Sequence, residues 1–148
     1  RSPLVLTERR DHLALFKEQL EGVARHLIVL HGGRNDRERL EAENRLRAIP
    51  ADEERLVIAT GRYIGEGFDD ARLDTLFLTL PISWKGILVQ YAGRLHRNHA
   101  GKRYVAIHDY VDGEVPMLGR MFLRRRKGYS ALGYQLAGEA ELDLEQPS

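Results

Sequence analysis

An α/β fold, with a parallel sheet of five or more strands and helices on both faces, is what these 148 residues predict. Three observations carry that expectation. Short apolar runs alternate with longer amphipathic ones along most of the chain, the pattern of strand–helix units. Several of the apolar runs are continuous rather than alternating, as strands buried on both faces must be. Polar loops rich in glycine and arginine follow the runs, at the strand ends where open parallel sheets hold their ligands.

The strands read as residues 4–6, 27–30, 56–59, 75–80 and 104–107, and the helices as 10–22, 36–48, 85–97 and 114–129. In the first helix Leu13, Phe16 and Leu20 repeat at three- and four-residue spacing, an apolar stripe. The helix from Lys85 carries Leu88, Tyr91, Ala92 and Leu95 on a similar stripe. The stretch from Val111 to Pro116 reads as a turn into a helix whose face holds Met117, Met121 and Phe122. Arg124-Arg125-Arg126-Lys127 closes that helix, where a cationic last turn complements the helix dipole. Residues 138–148 lose aromatic and β-branched content and carry Glu139, Glu141, Asp143 and Glu145, which reads as an acidic, frayed tail. The expected organisation is therefore a domain over 1–110, a helical extension packed on it over 111–137, and the tail over 138–148.

Composition narrows the setting. With 43% hydrophobic and 30% charged residues the chain suits one globular domain with a full core. No apolar run is long enough to span a bilayer and no secretory leader pattern occurs, so no membrane partner is expected. The absence of cysteine rules out disulfides and thiolate metal sites and agrees with a cytoplasmic location. The first residue is Arg1 rather than Met, so a fragment of something longer is expected. Net charge is only +1, but from Arg94 to Lys127 nine Lys or Arg face three Asp or Glu. Such a basic segment suits a phosphate-facing surface, and a solvated helix explains it equally well.

The most informative stretch is Gln90-Tyr91-Ala92-Gly93-Arg94-Leu95-His96-Arg97. It places two guanidinium groups three residues apart, directly after a glycine, on what reads as the first turns of a helix, and so on one helical face. Gly93 leaves the backbone open to a bulky ligand, and two convergent arginines suit a polyanion such as a nucleotide triphosphate. The loop Ala59-Thr60-Gly61-Arg62-Tyr63-Ile64-Gly65-Glu66-Gly67-Phe68-Asp69 holds three glycines in seven residues, which permit positive φ and close approach to a ligand, or simply a tight turn. In it Thr60 offers a hydroxyl to a phosphate, and Asp69 an acceptor to sugar hydroxyls. Thr7-Glu8-Arg9-Arg10 and His31-Gly32-Gly33-Arg34 combine polar donors with arginine where a strand meets a helix N-terminus, an anion site or merely a cap and a turn. His96 and His99 lack an acidic or thiol partner nearby, so no metal site is expected.

The order of these elements, from about Pro3 to Tyr110, resembles the second RecA-like domain of superfamily 2 helicases, the helicase C-terminal domain. Leu4-Val5-Leu6-Thr7 resembles motif IV, Ala59-Thr60-Gly61 through Gly65-Glu66-Gly67-Phe68-Asp69 resembles motif V, and 90–97 fits the QxxGRxxR form of motif VI. The Gly-Glu-Gly-Phe-Asp and Gln-initial forms lean toward the DNA-acting restriction and repair type rather than the RNA-acting DEAD-box type.

The resemblance implies roles. Arg94 and Arg97 would be arginine fingers reaching a γ-phosphate across an interdomain cleft. Gln90, Gly67 and Asp69 would serve the nucleotide side of that cleft. Thr7, Arg9, His31, Gly32, Thr60 and Gly61 would hold the backbone of one nucleic-acid strand, DNA in preference to RNA. The departure is equally informative: no G-x-x-x-x-G-K-[ST] loop and no Asp-Glu Walker B strand end occur in these residues. The expected ATP and Mg²⁺ would then be held by an N-terminal RecA-like domain of the same parent chain, with none bound by this fragment alone and no activity without that half. Two alternatives share the motifs: a binding module with a helicase-like fold that does not hydrolyse nucleotide, and a translocase on double-stranded DNA. For the basic cluster at 124–127 the resemblance adds a second reading, an extra nucleic-acid or interdomain contact.

Overall fold

Continuous β-branched and leucine-rich runs can bury every side chain only if both sheet faces are covered, and residues 4–7 and 55–60 of this chain are buried throughout. A computed structural model describes residues 1–32, 35–65, 67–82 and 85–137. Its strands are Pro3–Thr7 (β1), His26–Leu30 (β2), Arg55–Thr60 (β3), Thr75–Leu78 (β4) and Ala106–Asp109 (β5). All four pairings are parallel, in the order β2-β3-β1-β4-β5. The helices are Arg10–Leu20 (α1), Asp36–Ala48 (α2), Gly61–Gly65 (α3), Lys85–Leu95 (α4) and Pro116–Ala131 (α5). The chain divides into two compact units. The larger, Arg1–Leu80 with Gln90–Val111, holds the whole sheet. The smaller joins Pro81–Val89 to the described residues from Asp112 onward.

Strand register sorts the core. On one face Val5, Leu56 and Ile58 pack with Leu13 of α1, flanked by Phe16, Leu20, Leu27, Val29 and Phe77. The stripe read from Leu13, Phe16 and Leu20 is therefore the buried face of α1. On the other face Leu4, Leu6, Leu30, Val57, Ala59, Leu76 and Leu78 are essentially inaccessible. Each leucine buried in this way stabilises the fold by roughly 1.5–3 kcal/mol. Because the chain runs one way across the sheet from β1 to β2 and back from β2 to β3, right-handed crossovers put α1 and α2 on opposite faces. Asn35 caps α2 by accepting from the Glu38 amide at 2.9 Å.

Four differences from the sequence reading have physical causes. Residues 61–65 form a helix rather than a loop. Five residues with glycine at both ends show no apolar periodicity, and the turn is held by burial of Tyr63 and Ile64 and by the Thr60 hydroxyl, which accepts from the Tyr63 amide at 3.4 Å. Second, β5 starts at Ala106 because its register on β4, Thr75 to Ala106 through Leu78 to Asp109, leaves Tyr104 outside the ladder and exposed. Third, α4 ends at Leu95, so 90–95 form its last turns rather than its first, and Arg97 lies past its end instead of on a shared helical face. Fourth, α5 continues to Ala131, which places no basic residue in its last turn and removes the dipole account of the cluster. Its inner side is Phe122, Arg125 and Tyr129 rather than Met117, which is exposed. Buried Arg125 donates to the Ile82 carbonyl at 2.5 Å within the smaller unit. The acidic tail expected over 138–148 lies outside the described residues, as do Gly33, Arg34 and Glu66 of the loops singled out above.

Two contacts fix the segments that follow β3. Arg55, 4% exposed at the start of β3, lies 2.6 Å from Asp70, at ion-pair distance without the alignment of a hydrogen bond. Burial pulls its guanidinium below the ordinary arginine value, and the Asp70 charge opposes that pull. The other Asp70 oxygen accepts from the Arg72 amide at 3.1 Å. The Arg72 guanidinium in turn donates to the carbonyls of Ile49, Pro50, Ala51 and Glu53, closing the exit of α2. Asp69 is thus tied, through its neighbour, to the buried end of a central strand.

The second contact is steric. A Cβ on Gly61 would collide with the Tyr91 hydroxyl and lie 2.8 Å from Glu8 Oε1. Glycine is required there by approach rather than by φ; in the 59–69 stretch only Gly67, at φ +92°, has the left-handed conformation among the described glycines. At the far side of α3, Tyr63 donates to Glu43 of α2 at 2.9 Å under the Arg39 guanidinium. Burial first, and then that carboxylate, push the Tyr63 phenol up to about 12.

Both contacts predict stability effects. Asp70→Ala strands a buried guanidinium and should cost about 3–5 kcal/mol in urea unfolding, whereas Arg55→Met with Asp70→Leu should recover most of it. Gly61→Ala should cost about 1–3 kcal/mol by overpacking. Combining it with Tyr91→Phe, which removes the colliding hydroxyl, should cost less than the sum of the two single changes.

Candidate functional site

Two groups of residues assemble on the larger unit. The first gathers at the carboxyl ends of the adjacent strands β2, β3 and β1. Thr7 and Thr60 are register partners at the ends of β1 and β3. Thr7 is 1% exposed, so it offers a strand end rather than an open side chain. The Thr60 hydroxyl accepts from the Gly32 and Tyr63 amides, both at 3.4 Å. With its lone pairs engaged, that hydroxyl keeps one function, donation of its proton, which suits a phosphate oxygen.

Gly32 sits among cations. Its carbonyl accepts from Arg10 at 3.0 Å, His31 Nδ1 lies at the same distance from that oxygen, and its hydrogen-side face meets the Arg62 side chain. Arg9 is exposed and bound bidentately by Asp11 at 3.0 and 2.7 Å. The hydrogen bond from Arg9, opposed by desolvation and aided by the guanidinium charge, holds the Asp11 carboxyl below the ordinary carboxylate value. The structure thus groups Thr7, His31, Gly32, Thr60 and Gly61 around adjacent strand ends and leaves Arg9 turned to its own carboxylate. Arg10 and Arg62 join the group although the residue pattern did not single them out. Arg10 begins α1 just after Thr7 and Arg62 lies in α3 just after Thr60, and only the fold shows that both meet at Gly32.

The second group lies along α3 and the end of α4. Gln90 donates to the Gly65 carbonyl at 3.3 Å, and its neighbour Tyr91 abuts Gly61, so consecutive residues of α4 hold both ends of α3. Burial, and then the Glu8 charge, raise the Tyr91 phenol above its ordinary value. Asp69 lies 3.3 Å from Arg97, both well exposed. Arg94 is half-buried, and its Nε is buried with no hydrogen-bond partner among the described residues. Such an unsatisfied donor is costly unless something supplies an acceptor. A Cβ on Gly93 would meet nothing, so the backbone beside Arg94 is open. Asp69 and Arg97 are therefore brought together, and Gln90 is held against the end of α3, while Gly67 lies in the loop after α3 and Arg94 in the last turn of α4.

Those residues fit the anionic end of a nucleotide: two guanidinium groups, one with an unused buried donor, beside an open backbone. Among the described residues, no group of three or more His, Cys, Asp or Glu could hold a metal ion. No described helix is long and apolar enough to cross a membrane.

The sequence reading passed over Lys102. Its ammonium donates to the carbonyls of Leu95 at 2.7 Å and Arg97 at 2.6 Å, and burial pulls it below the ordinary lysine value against the charges of Asp74 and Asp70. No periodicity marks a lysine that returns through a turn containing Gly101 at φ +84°.

No protein-family model matches the chain, and no curated protein matches its sequence. Its structure does have counterparts. The C-terminal part of the Fun30 ATPase domain superposes with a TM-score of 0.63 at 15% identity, over 97% of this chain and 42% of that one. The ATP-dependent type ISP restriction-modification enzyme LlaBIII bound to DNA gives 0.61 at 24% identity, over 86% of this chain. Domain 2 of the DEAD-box helicase Mss116p bound to an RNA duplex gives 0.60 at 16% identity, over 97% of this chain and 54% of that one. The chain spans 42% of the Fun30 chain and 10% of the LlaBIII chain, so it matches one part of each. The α/β sheet order, the covered faces and these superpositions agree: this chain has the parallel, RecA-like α/β fold of those ATPase and helicase domains.

Proposed function

We propose that this chain is the C-terminal motor domain of an ATP-dependent superfamily 2 helicase. In this reading residues 1–110 carry the motor motifs and 111–137 form a helical extension. Arg94 and Arg97 are the arginine fingers for ATP bound at an N-terminal RecA-like domain of the parent chain. The observation that carries the reading is the buried, unpartnered Nε of Arg94 beside the exposed Asp69–Arg97 pair. An acceptor from outside the chain satisfies the first, and a phosphate can compete with Asp69 for the second.

The Walker A loop and the Mg²⁺ ligands belong to the N-terminal domain, so this part alone turns over no ATP. Bound there, Mg²⁺ supplies charge neutralisation on the phosphate oxygens. What this chain contributes is electrostatic. Arg94 and Arg97 oppose charge that develops on the transferring group, Gln90 holds the end of α4 against α3, and Gly67 with Asp69 meets the sugar side.

The nucleic-acid side is the group at the ends of β1, β2 and β3. Thr60 donates to a backbone phosphate, and Thr7, Arg9, His31, Gly32 and Gly61 line the strand's path with Arg10 and Arg62 beside them. Contacts of that type position without reading sequence, so binding is non-specific and salt-sensitive. DNA is preferred to RNA in this reading because motif VI begins with Gln90, as in the restriction type, and LlaBIII, the most similar of the three counterparts by identity, is a DNA-bound enzyme.

Two measurements follow. In the parent protein, Arg94→Ala and Arg97→Ala should each lower nucleic-acid-stimulated ATP hydrolysis by about 10³-fold or more while ATP is still bound. Unchanged turnover would remove the motor reading and favour a module that only binds. Arg10→Ala and Arg62→Ala should each reduce the slope of log affinity against log salt by about 1, uniformly across nucleic-acid sequences.

A further inference from the structure

The end of α4 presents a mechanical problem. Arg94 sits in the last helical turn, Arg97 beyond it, and a long turn bond, His96 amide to Gly93 carbonyl at 3.3 Å, spans the step between them. A helix terminus leaves its last carbonyls without amide partners and frays. Two guanidinium groups acting on one polyanion need a fixed separation, since a displacement of about 1 Å can cost on the order of 100-fold in rate.

The chain after Arg97 turns back through Asn98–Gly101, with the Lys102 amide donating to the His99 carbonyl at 3.1 Å. That reversal brings the Lys102 ammonium under the helix end, where it bridges the carbonyls of Leu95 and Arg97. The two carbonyls bracket His96, so the bridge closes the stretch of backbone that separates the two arginines. A cation there also matches the partial negative charge of the helix C-terminus. The side chain is part-buried, and the charges of Asp74 and Asp70 favour its ammonium against that burial.

Resting on the proposed function, we infer that Lys102 is a positioning residue that fixes the spacing of Arg94 and Arg97 by clamping the backbone between them. It touches neither nucleotide nor nucleic acid in this account, so it acts on turnover and not on binding. Lysine suits the task because its three donors rotate about a single nitrogen and reach two carbonyls at once.

The test is steady-state ATP hydrolysis by the full-length parent, with saturating nucleic acid, for wild type, Lys102→Met, Lys102→Arg and Arg94→Ala. Lys102→Met should lower kcat by about tenfold or more with KM for ATP and nucleic-acid affinity within about twofold of wild type. Lys102→Arg, whose forked donors can reach the same two carbonyls, should retain most of kcat. An unchanged kcat in Lys102→Met overturns the inference, and so does a parallel loss of turnover and nucleic-acid binding with a lowered Tm, which would mark general destabilisation. If Lys102→Met is silent while Arg94→Ala is inactive, the clamp alone falls and the motor reading stands. If Arg94→Ala is itself fully active, the motor reading falls and takes the clamp with it.

Discussion

The close approach at Gly61 is the constraint on which the rest of the larger unit depends. Tyr91 brings its hydroxyl to where a side chain would otherwise begin, against Glu8 from the loop after β1. Three segments distant in sequence therefore meet at one point: the exit of β1, the start of α3 and the end of α4. Without a bare backbone at 61, α4 could not sit this close, and Gln90 could not reach Gly65 at the other end of α3. Arg94 and Arg97 take their positions from that seating. The buried Arg55–Asp70 pair does the same for Asp69 from the opposite direction, through the base of β3.

The two groups of candidate residues meet at α3. The strand-end group rests on the parallel register of β2, β3 and β1, which aligns Thr60 with Thr7 and sets Gly32 beside Thr60. The α3–α4 group rests on Gly61 and Gly65. Since α3 is only five residues long and begins where β3 ends, Thr60 of the strand-end group and Gly61 against α4 are neighbours in the chain.

Much of this was legible in the residues because it rested on periodicity. The continuous runs around Leu4, Leu27, Leu56 and Leu76 announce buried parallel strands, and the Leu13–Phe16–Leu20 stripe announces α1. The motif glycines were legible as a cluster, but their separate reasons were not. Gly61 answers to a tyrosine thirty positions away in the chain, Gly67 to its own φ, and Gly93 to open space, and no local pattern distinguishes the three. The boundaries of β5 and α5 were set by tertiary partners, β4 for one and the burial of Phe122, Arg125 and Tyr129 for the other. Arg10, Arg62 and Lys102 escaped for a shared reason: each acts through a backbone carbonyl or a neighbouring glycine brought close by the fold.

The central claim is that Arg94 and Arg97 stabilise charge that exists only as a phosphoryl group is transferred. The most direct test is equilibrium binding to the parent protein of ADP alone and of ADP with a metal-fluoride mimic of the transferring phosphoryl. The account predicts that Arg94→Ala and Arg97→Ala bind ADP like wild type but lose most of the added affinity for the mimic, because interactions confined to the transition state are the ones that accelerate the reaction. An equal loss for both ligands would make the arginines ground-state anchors, and no loss for either would contradict the account outright.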